Sequence, residues 1–244
     1  MTFARQFLIM TEMNKLALSL LMAMLCTAAF AQFTTAGDGK TYTFKTLSET
    51  EGSGVTLVDG NTYLVAGDVT IAEGDKFTLF EDYTDGMTVR FGNQVTLTLE
   101  GETVLYPPVE ELVTFTRDKE EDVPYGVKLA GGGMESSVSV ADIRFEYLGL
   151  MNYSQSSVNI NHCEFYCHNG AQSGALFLAS TTATTVVSDC TFSLCSKAAI
   201  GGAANYSCDL WVYNSVFKQN SQNNQNIPQL NLTAANGINI DGCT

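Results

Sequence analysis

Residues 162–169 read HCEFYCHN and place His162, Cys163, Cys167 and His168, the chain's two histidines and two of its thiols, side by side. Those residue types are the donor set of a zinc or redox centre, and either chemistry requires the donors to converge on one point. On an extended strand Cys163, Phe165 and Cys167 face one way, while Glu164 and Tyr166, with His168 if the strand continues, face the other. His162 falls at a corner ahead of that strand. The spacing therefore splits the donor set, and no metal ligand is assigned.

Acid–base chemistry is the next candidate. The acids of the same region are Asp142, Glu146, Glu164, Asp189, Asp209 and Asp241, with Arg144 and Lys218 the nearest bases. A glycoside hydrolase needs two carboxylates on one face, about 5–10 Å apart. Asp142 and Asp189 recur at one turn position, which a structural role explains, and Glu164 stands outward beside Arg144 and Thr191 as a single carboxylate. Neither histidine belongs to a recognisable nucleophile motif, and the glycines at 131–133 form a turn rather than a phosphate loop. No catalytic or cofactor-binding residue is assigned. Calcium is the one cofactor candidate, at Asp118, Glu120, Glu121 and Asp122 within RDKEEDVP (117–124), but their spacing is not that of a calcium loop and the segment reads as exposed. Tyr147, Tyr166, Trp211 and Tyr213 are candidate aromatic platforms, with packing against loops the alternative for each.

What must position these groups is a repeat. Phe145, Phe165, Phe192 and Phe217 anchor the segments VSVADIRF, VNINHCEF, TVVSDCTF and LWVYNSVF, at intervals of 20, 27 and 25 residues, and INIDGC begins a fifth copy. Apolar residues alternate up to a polar position (Asp142, His162, Asp189, Asn214, Gly242) and alternate again beyond it. Alternation at period two marks half-buried strands, and Asp, Asn or Gly between them suits a bend with a left-handed backbone. The stretches from Gly174 (GALFLAS), Lys197 (KAAIGG) and Pro228 (PQLNLTAAN) supply a third strand per copy. Three strands every 20 to 27 residues make a coil whose turns stack about 4.8 Å apart around one core. GMTVRFGNQVTLTLEGETVLYP and VPYGVKLAGG read as earlier turns, with Val95, Leu97, Leu99, Val127 and Leu129 inward.

On these HCEF and DCTF corners the chain resembles the right-handed parallel β-helix proteins of the pectate-lyase-like superfamily, in particular their secreted bacterial members, over roughly residues 85–244. The resemblance implies an all-β solenoid and a polysaccharide or other cell-surface polymer as ligand. Lyases of that superfamily use clustered Asp residues for calcium with an Arg or Lys base, and its hydrolases use several Asp residues; neither motif is found here. The expected function is a non-catalytic surface that binds carbohydrate, with a polysaccharide lyase or glycoside hydrolase, or a purely structural or adhesive protein, as alternatives.

MNKLALSLLMAMLCTAAFAQ from Met13 has the positive start, short apolar run and Ala-Phe-Ala end of a secretory signal, which predicts a secreted protein, extracellular, at the cell surface or periplasmic. The domain reading is a signal with an upstream extension at 1–31, a β-rich cap at 32–84 and β-helix turns at 85–244. The chain is expected to end inside a turn, as a fragment of a longer protein. A formal charge of −14 argues against nucleic acid and anionic membranes as partners. No membrane-spanning segment is expected after the signal. Six cysteines follow the signal: Cys163, Cys167, Cys190, Cys195, Cys208 and Cys243. They read as an internal packing ladder, with a disulfide between adjacent turns as the alternative and Cys167–Cys195 the leading pair. The sequons at Asn152, Asn205 and Asn231 are candidate glycosylation sites for a eukaryotic source.

Overall fold

The computed structural model describes residues 32–81, 83–132, 137–180, 183–207, 209–224 and 226–244. The proposed signal and Cys208 lie outside the described residues.

The described chain is a parallel β-solenoid of about seven turns with one five-residue helix. It opens with β1 (Phe33–Thr34), β2 (Thr41–Tyr42), helix α1 (Phe44–Ser48) and β3 (Val55–Asp59). The early turns are β4 (Thr62–Val65), β5 (Val69–Ile71) and β6 (Lys76–Thr78); β7 (Thr88–Phe91), β8 (Thr96–Leu99) and β9 (Glu102–Leu105); and β10 (Val113–Arg117), β11 (Gly126–Leu129) and β12 (Ser137–Ala141). The later turns are β13 (Ile143–Glu146), β14 (Gly149–Asn152) and β15 (Ser157–Asn161); β16 (Glu164–Tyr166), β17 (Gly174–Leu178) and β18 (Thr185–Ser188); β19 (Thr191–Ser193), β20 (Ala198–Gly202) and β21 (Leu210–Tyr213); and β22 (Val216–Lys218), β23 (Leu230–Asn231) and β24 (Ile238–Asp241). Each turn gives one strand to each of three sheets. The first sheet runs from β3 and β4 to β22, the second from β1 to β23 and the third from β2 to β24. A complete turn, β4 to β6, already lies within the 32–84 segment read as a cap.

The cap is partly helical rather than made of strands alone. Thr43 and Thr46 cap α1 reciprocally, and its Phe44 and Leu47 are buried. Phe44 packs edge-on against Phe77 and Phe115, with ring centroids 5.2 and 5.8 Å away. Beside it β3 pairs antiparallel with β4, so the terminal place in the first sheet falls to this exposed strand and not to the first complete turn. Asp75 fastens the segment ahead of α1, its carboxylate accepting from the backbone amides of Gly37, Gly39 and Lys40 at 2.8–3.0 Å. Desolvation works to raise its pKa, but the hydrogen bonds from Thr35 and these amides prevail and hold it at about 2.

Register explains the core. Phe115, Phe145, Phe165, Phe192 and Phe217 lie directly opposite one another on successive first-sheet strands. From Phe145 onward the rings stack nearly parallel, with centroid separations of 5.0, 4.6 and 5.2 Å. That is the turn spacing itself, so Phe165 and Phe192 bury both faces against neighbouring rings, and each stacked pair gains about 0.5–1.5 kcal/mol beyond its area.

The bend between the third and first sheets is the one expected: Asp142, His162, Asp189, Asn214 and Gly242 all have φ between 48° and 64°. A β-branched residue pays about 1–2 kcal/mol in that region. Asp189→Val is accordingly expected to lower stability by about that much, and Asn214→Gly to leave it within about 0.5 kcal/mol, because glycine adopts positive φ freely. Chemical unfolding followed by circular dichroism checks both, and equal losses for the two variants would contradict this account of the bend.

A second bend, between the first and second sheets, has no counterpart in the sequence reading. Tyr147, Cys167, Leu194 and Gln219, each two residues after an anchor Phe, have φ of 64°, 52°, 56° and 53°. The residues that follow them turn inward: Leu148, His168 and Cys195 are at most 1% exposed and Asn220 is 7% exposed.

Candidate functional site

The HCEFYCHN stretch divides across the backbone. Cys163 points into the core, its Sγ 3.4 Å from the Asn161 carbonyl and 3.8 Å from that of Val140. The His162 side chain is 58% exposed on the outside, with Nδ1 4.0 Å from Asp142 Oδ1. His168 does not continue the strand outward, as its alternation suggested. The left-handed Cys167 ends β16, and His168 is carried inside. Burial, with Lys197 adding repulsion, lowers its pKa to about 4, and its Nδ1 has no partner among the described residues. Among the described residues no group of three or more His, Cys, Asp or Glu side chains could hold a metal ion.

All five described cysteines are free thiols. Cys163 and Cys190 occupy the inward position after the first bend, as the ladder reading expected, and Ser215 and Cys243 follow in the same row. Each donates to the carbonyl two residues earlier, Cys190 to Ser188 at 3.2 Å and Ser215 to Tyr213 at 2.8 Å. The same carbonyls also accept the backbone amide of the bend residue one turn earlier, His162 to Ser188 at 3.2 Å and Asp189 to Tyr213 at 3.1 Å, so the small side chain adds a second donor to a carbonyl already held in the ladder. Cys167 departs from the ladder because it is itself a bend residue in register with Leu194, whereas Cys195 lies inside against the Phe165 carbonyl. The proposed Cys167–Cys195 pair therefore sits on opposite sides of the backbone. Burial pushes the Cys195 thiol up to about 12 and that of Cys163 well above its ordinary value, which removes the thiolate that nucleophilic or redox chemistry needs.

Two acids of the repeat, Glu146 and Glu164, share one cation. Arg144 binds Glu146 at 2.6 Å and Glu164 at 2.7 Å, so Glu164 is one of two carboxylates on a single guanidinium rather than a solitary one. Tyr166 lies under Arg144 at 4.7 Å, and Tyr147 under Arg117 at 3.8 Å. Both tyrosines are thus spoken for as cation–π partners. In the 117–124 segment Arg117 belongs to β10, Asp118 pairs with Arg90 at 3.4 Å, and Asp122 closes a turn by accepting from the Lys119 amide at 3.1 Å. Asn152 is fully buried and donates to Thr185 Oγ1, which leaves Asn205 and Asn231 as the exposed sequon asparagines.

Two surface features remain. A groove of about 350 Å³ runs along the bends between the second and third sheets, lined in part by Glu73, Glu100, Glu102, Thr103, Ser137 and Ser156. Lys76 neutralises Glu102 at 3.1 Å. The sequence reading missed this groove. Its signal was the Glu-Gly pair that follows an alternating strand at 73–74 and again at 100–101. The other feature is the outer face of the third sheet, where Trp211 is 42% exposed and Tyr213 stands two residues further along β21.

Among the described residues no helix is long and apolar enough to cross a membrane. No protein-family model, no curated protein and no solved structure matches the chain.

Proposed function

We propose that this is a secreted, non-catalytic β-helix protein of the bacterial pectate-lyase-like kind, whose outer faces bind carbohydrate or another extended polymer. The observation that supports this reading is the register. Residues on the outer faces align directly from turn to turn, so side chains of successive turns stand in rows spaced about 4.8 Å apart, a spacing suited to a periodic ligand. The commitment of Glu146 and Glu164 to Arg144, and of Asp142 and Asp189 to bends, favours binding over cleavage on the faces of the repeat.

A second reading, polymer cleavage by a lyase or hydrolase, draws on the carboxylates of the Glu73–Glu100 groove. Affinity electrophoresis through gels cast with soluble polysaccharides, with and without calcium, together with a reducing-end assay, separates the possibilities. Retardation without new reducing ends is expected. New reducing ends, or unsaturated products absorbing in the ultraviolet, would establish an enzyme, and neither retardation nor product would leave a structural or adhesive role.

A further inference from the structure

We infer that the outer face of the third sheet around Trp211 and Tyr213 is the binding site, and that it takes a neutral polysaccharide through stacking on the indole. This deepens the polymer-binding reading and rests on it.

Trp211 is presented by the register of its strand. Its neighbours Leu210 and Val212 are completely buried, so the alternation forces the indole outward. Directly opposite it stand Val186 on the turn before and Asn239 on the turn after; opposite Tyr213 stand Ser188 and Asp241. The Asn239 amide donates to the Tyr213 hydroxyl at 3.2 Å, and the Asn161 amide to Ser188 at 2.7 Å. Two aromatic side chains about 7 Å apart along one strand are therefore flanked by the apolar Val186 and the Ser188 hydroxyl on one side and by the Asn239 amide and the Asp241 carboxylate on the other. A pyranose ring offers an apolar face of C–H groups and an equatorial rim of hydroxyls, and this surface matches both: the indole takes the face, and the amides and hydroxyls take the rim.

Charge selects among polymers. The outer-face strands β12, β15, β18, β21 and β24 contain no Lys or Arg and a single ionisable acid, Asp241, in a chain of formal charge −14. A uronate or phosphate polymer would approach a surface with no cation to receive it, whereas a neutral glycan carries no such penalty. A protein partner fits less well, because most of the face is Ser and Asn and lacks the apolar centre of a stable interface.

Trp211 is the chain's one tryptophan, so its fluorescence reports this face alone. The folded full chain is titrated with cellohexaose, xylohexaose and mannohexaose, with hexagalacturonate as the anionic comparison, and each is also assayed by affinity electrophoresis. The expected result is a saturable change in emission with at least one neutral hexasaccharide and none with hexagalacturonate. Trp211→Ala should weaken retardation at least tenfold and Tyr213→Ala severalfold, while Trp211→Phe retains most of it and all three keep the wild-type unfolding midpoint. Binding that leaves the emission unchanged and survives Trp211→Ala would move the site elsewhere and overturn this inference, with the polymer-binding reading intact. Preference for hexagalacturonate would overturn the assignment to a neutral ligand. Absence of binding to every glycan tested would sink the polymer-binding reading itself.

Discussion

Phe165→Ala is expected to lower the stability of the coil by about 3–5 kcal/mol, the range for truncating a buried aromatic where the surroundings collapse only in part. Phe165 is completely buried, and its ring lies 5.0 Å from Phe145 and 4.6 Å from Phe192, with interplanar angles of 13° and 3°. Removing it leaves a gap between two rings whose separation is fixed by the backbone hydrogen bonds of three strands, so neither can move in to fill it. In a solenoid each turn is stabilised mainly by its two neighbours, and a break in the middle weakens both interfaces at once. Phe217, half-buried and stacked on Phe192 at 5.2 Å, gives the internal comparison. Its alanine variant should cost less than half as much. Urea unfolding followed by circular dichroism measures both, and equal costs would show that stacking within the ladder is not what holds the turns.

The second large effect is acid lability from His168. Its folded pKa of about 4 lies below the ordinary 6.5, because burial penalises the imidazolium and Lys197 repels it. The contribution to stability is complete above pH 6.5, where both folded and unfolded chains hold the neutral ring. It is lost as the pH falls through 6.5 toward 4, where the unfolded chain gains a proton that the folded chain refuses. The shift corresponds to about 3 kcal/mol at most. Leu148 occupies the equivalent place one turn earlier and is also fully buried, so the fold already accepts leucine there. His168→Leu is expected to fold and to flatten the stability profile between pH 6.5 and 4. Asp75 acts in a separate window, between 3.8 and about 2, and Asp142, raised by burial, has the opposite sign. Neither can account for a loss that begins near pH 6. A His168→Leu profile that still falls like the wild type over that interval would place the acid sensitivity in another group.

The legibility of this fold in its sequence follows from which positions demand a residue type. The bend from the third sheet to the first was readable because a left-handed residue ahead of an inward small side chain is best met by Asp, Asn or Gly, and those residues recur at 142, 189, 214 and 242. The anchor phenylalanines were readable because stacking in register rewards the same flat ring in every turn. The bend from the first sheet to the second was not, although its backbone is as regular. Tyr147, Cys167, Leu194 and Gln219 share no chemistry, and the bend is imposed by strands on both sides that must each pair with the turn before. Without that bend the alternation appeared to run on through 168, which sent His168 outward and put Cys167 beside Cys195. The helical cap carried a local signal, Thr43 reciprocally bonded to Thr46, but a five-residue helix is held mainly by what Phe44 and Leu47 meet across the open end of the core.

The candidate sites divide along the same line. Trp211 and Tyr213 could be named from the sequence, because period-two alternation places them opposite Leu210 and Val212. Tyr147 and Tyr166 could be named equally well, and only the turn-to-turn register put Arg117 and Arg144 over them and left the indole uncovered. Glu73 and Glu100 line one groove because their bends lie on successive turns, a proximity written in the stacking of β5 on β8 and invisible at a separation of 27 residues. The sequence by itself determined the coil, its core ladder and the bend whose geometry constrains residue type. The tertiary structure decided which residues turn inward beyond the second bend, which outward side chains are paired, and which surfaces remain to bind, because those depend on neighbours one full turn away along the chain.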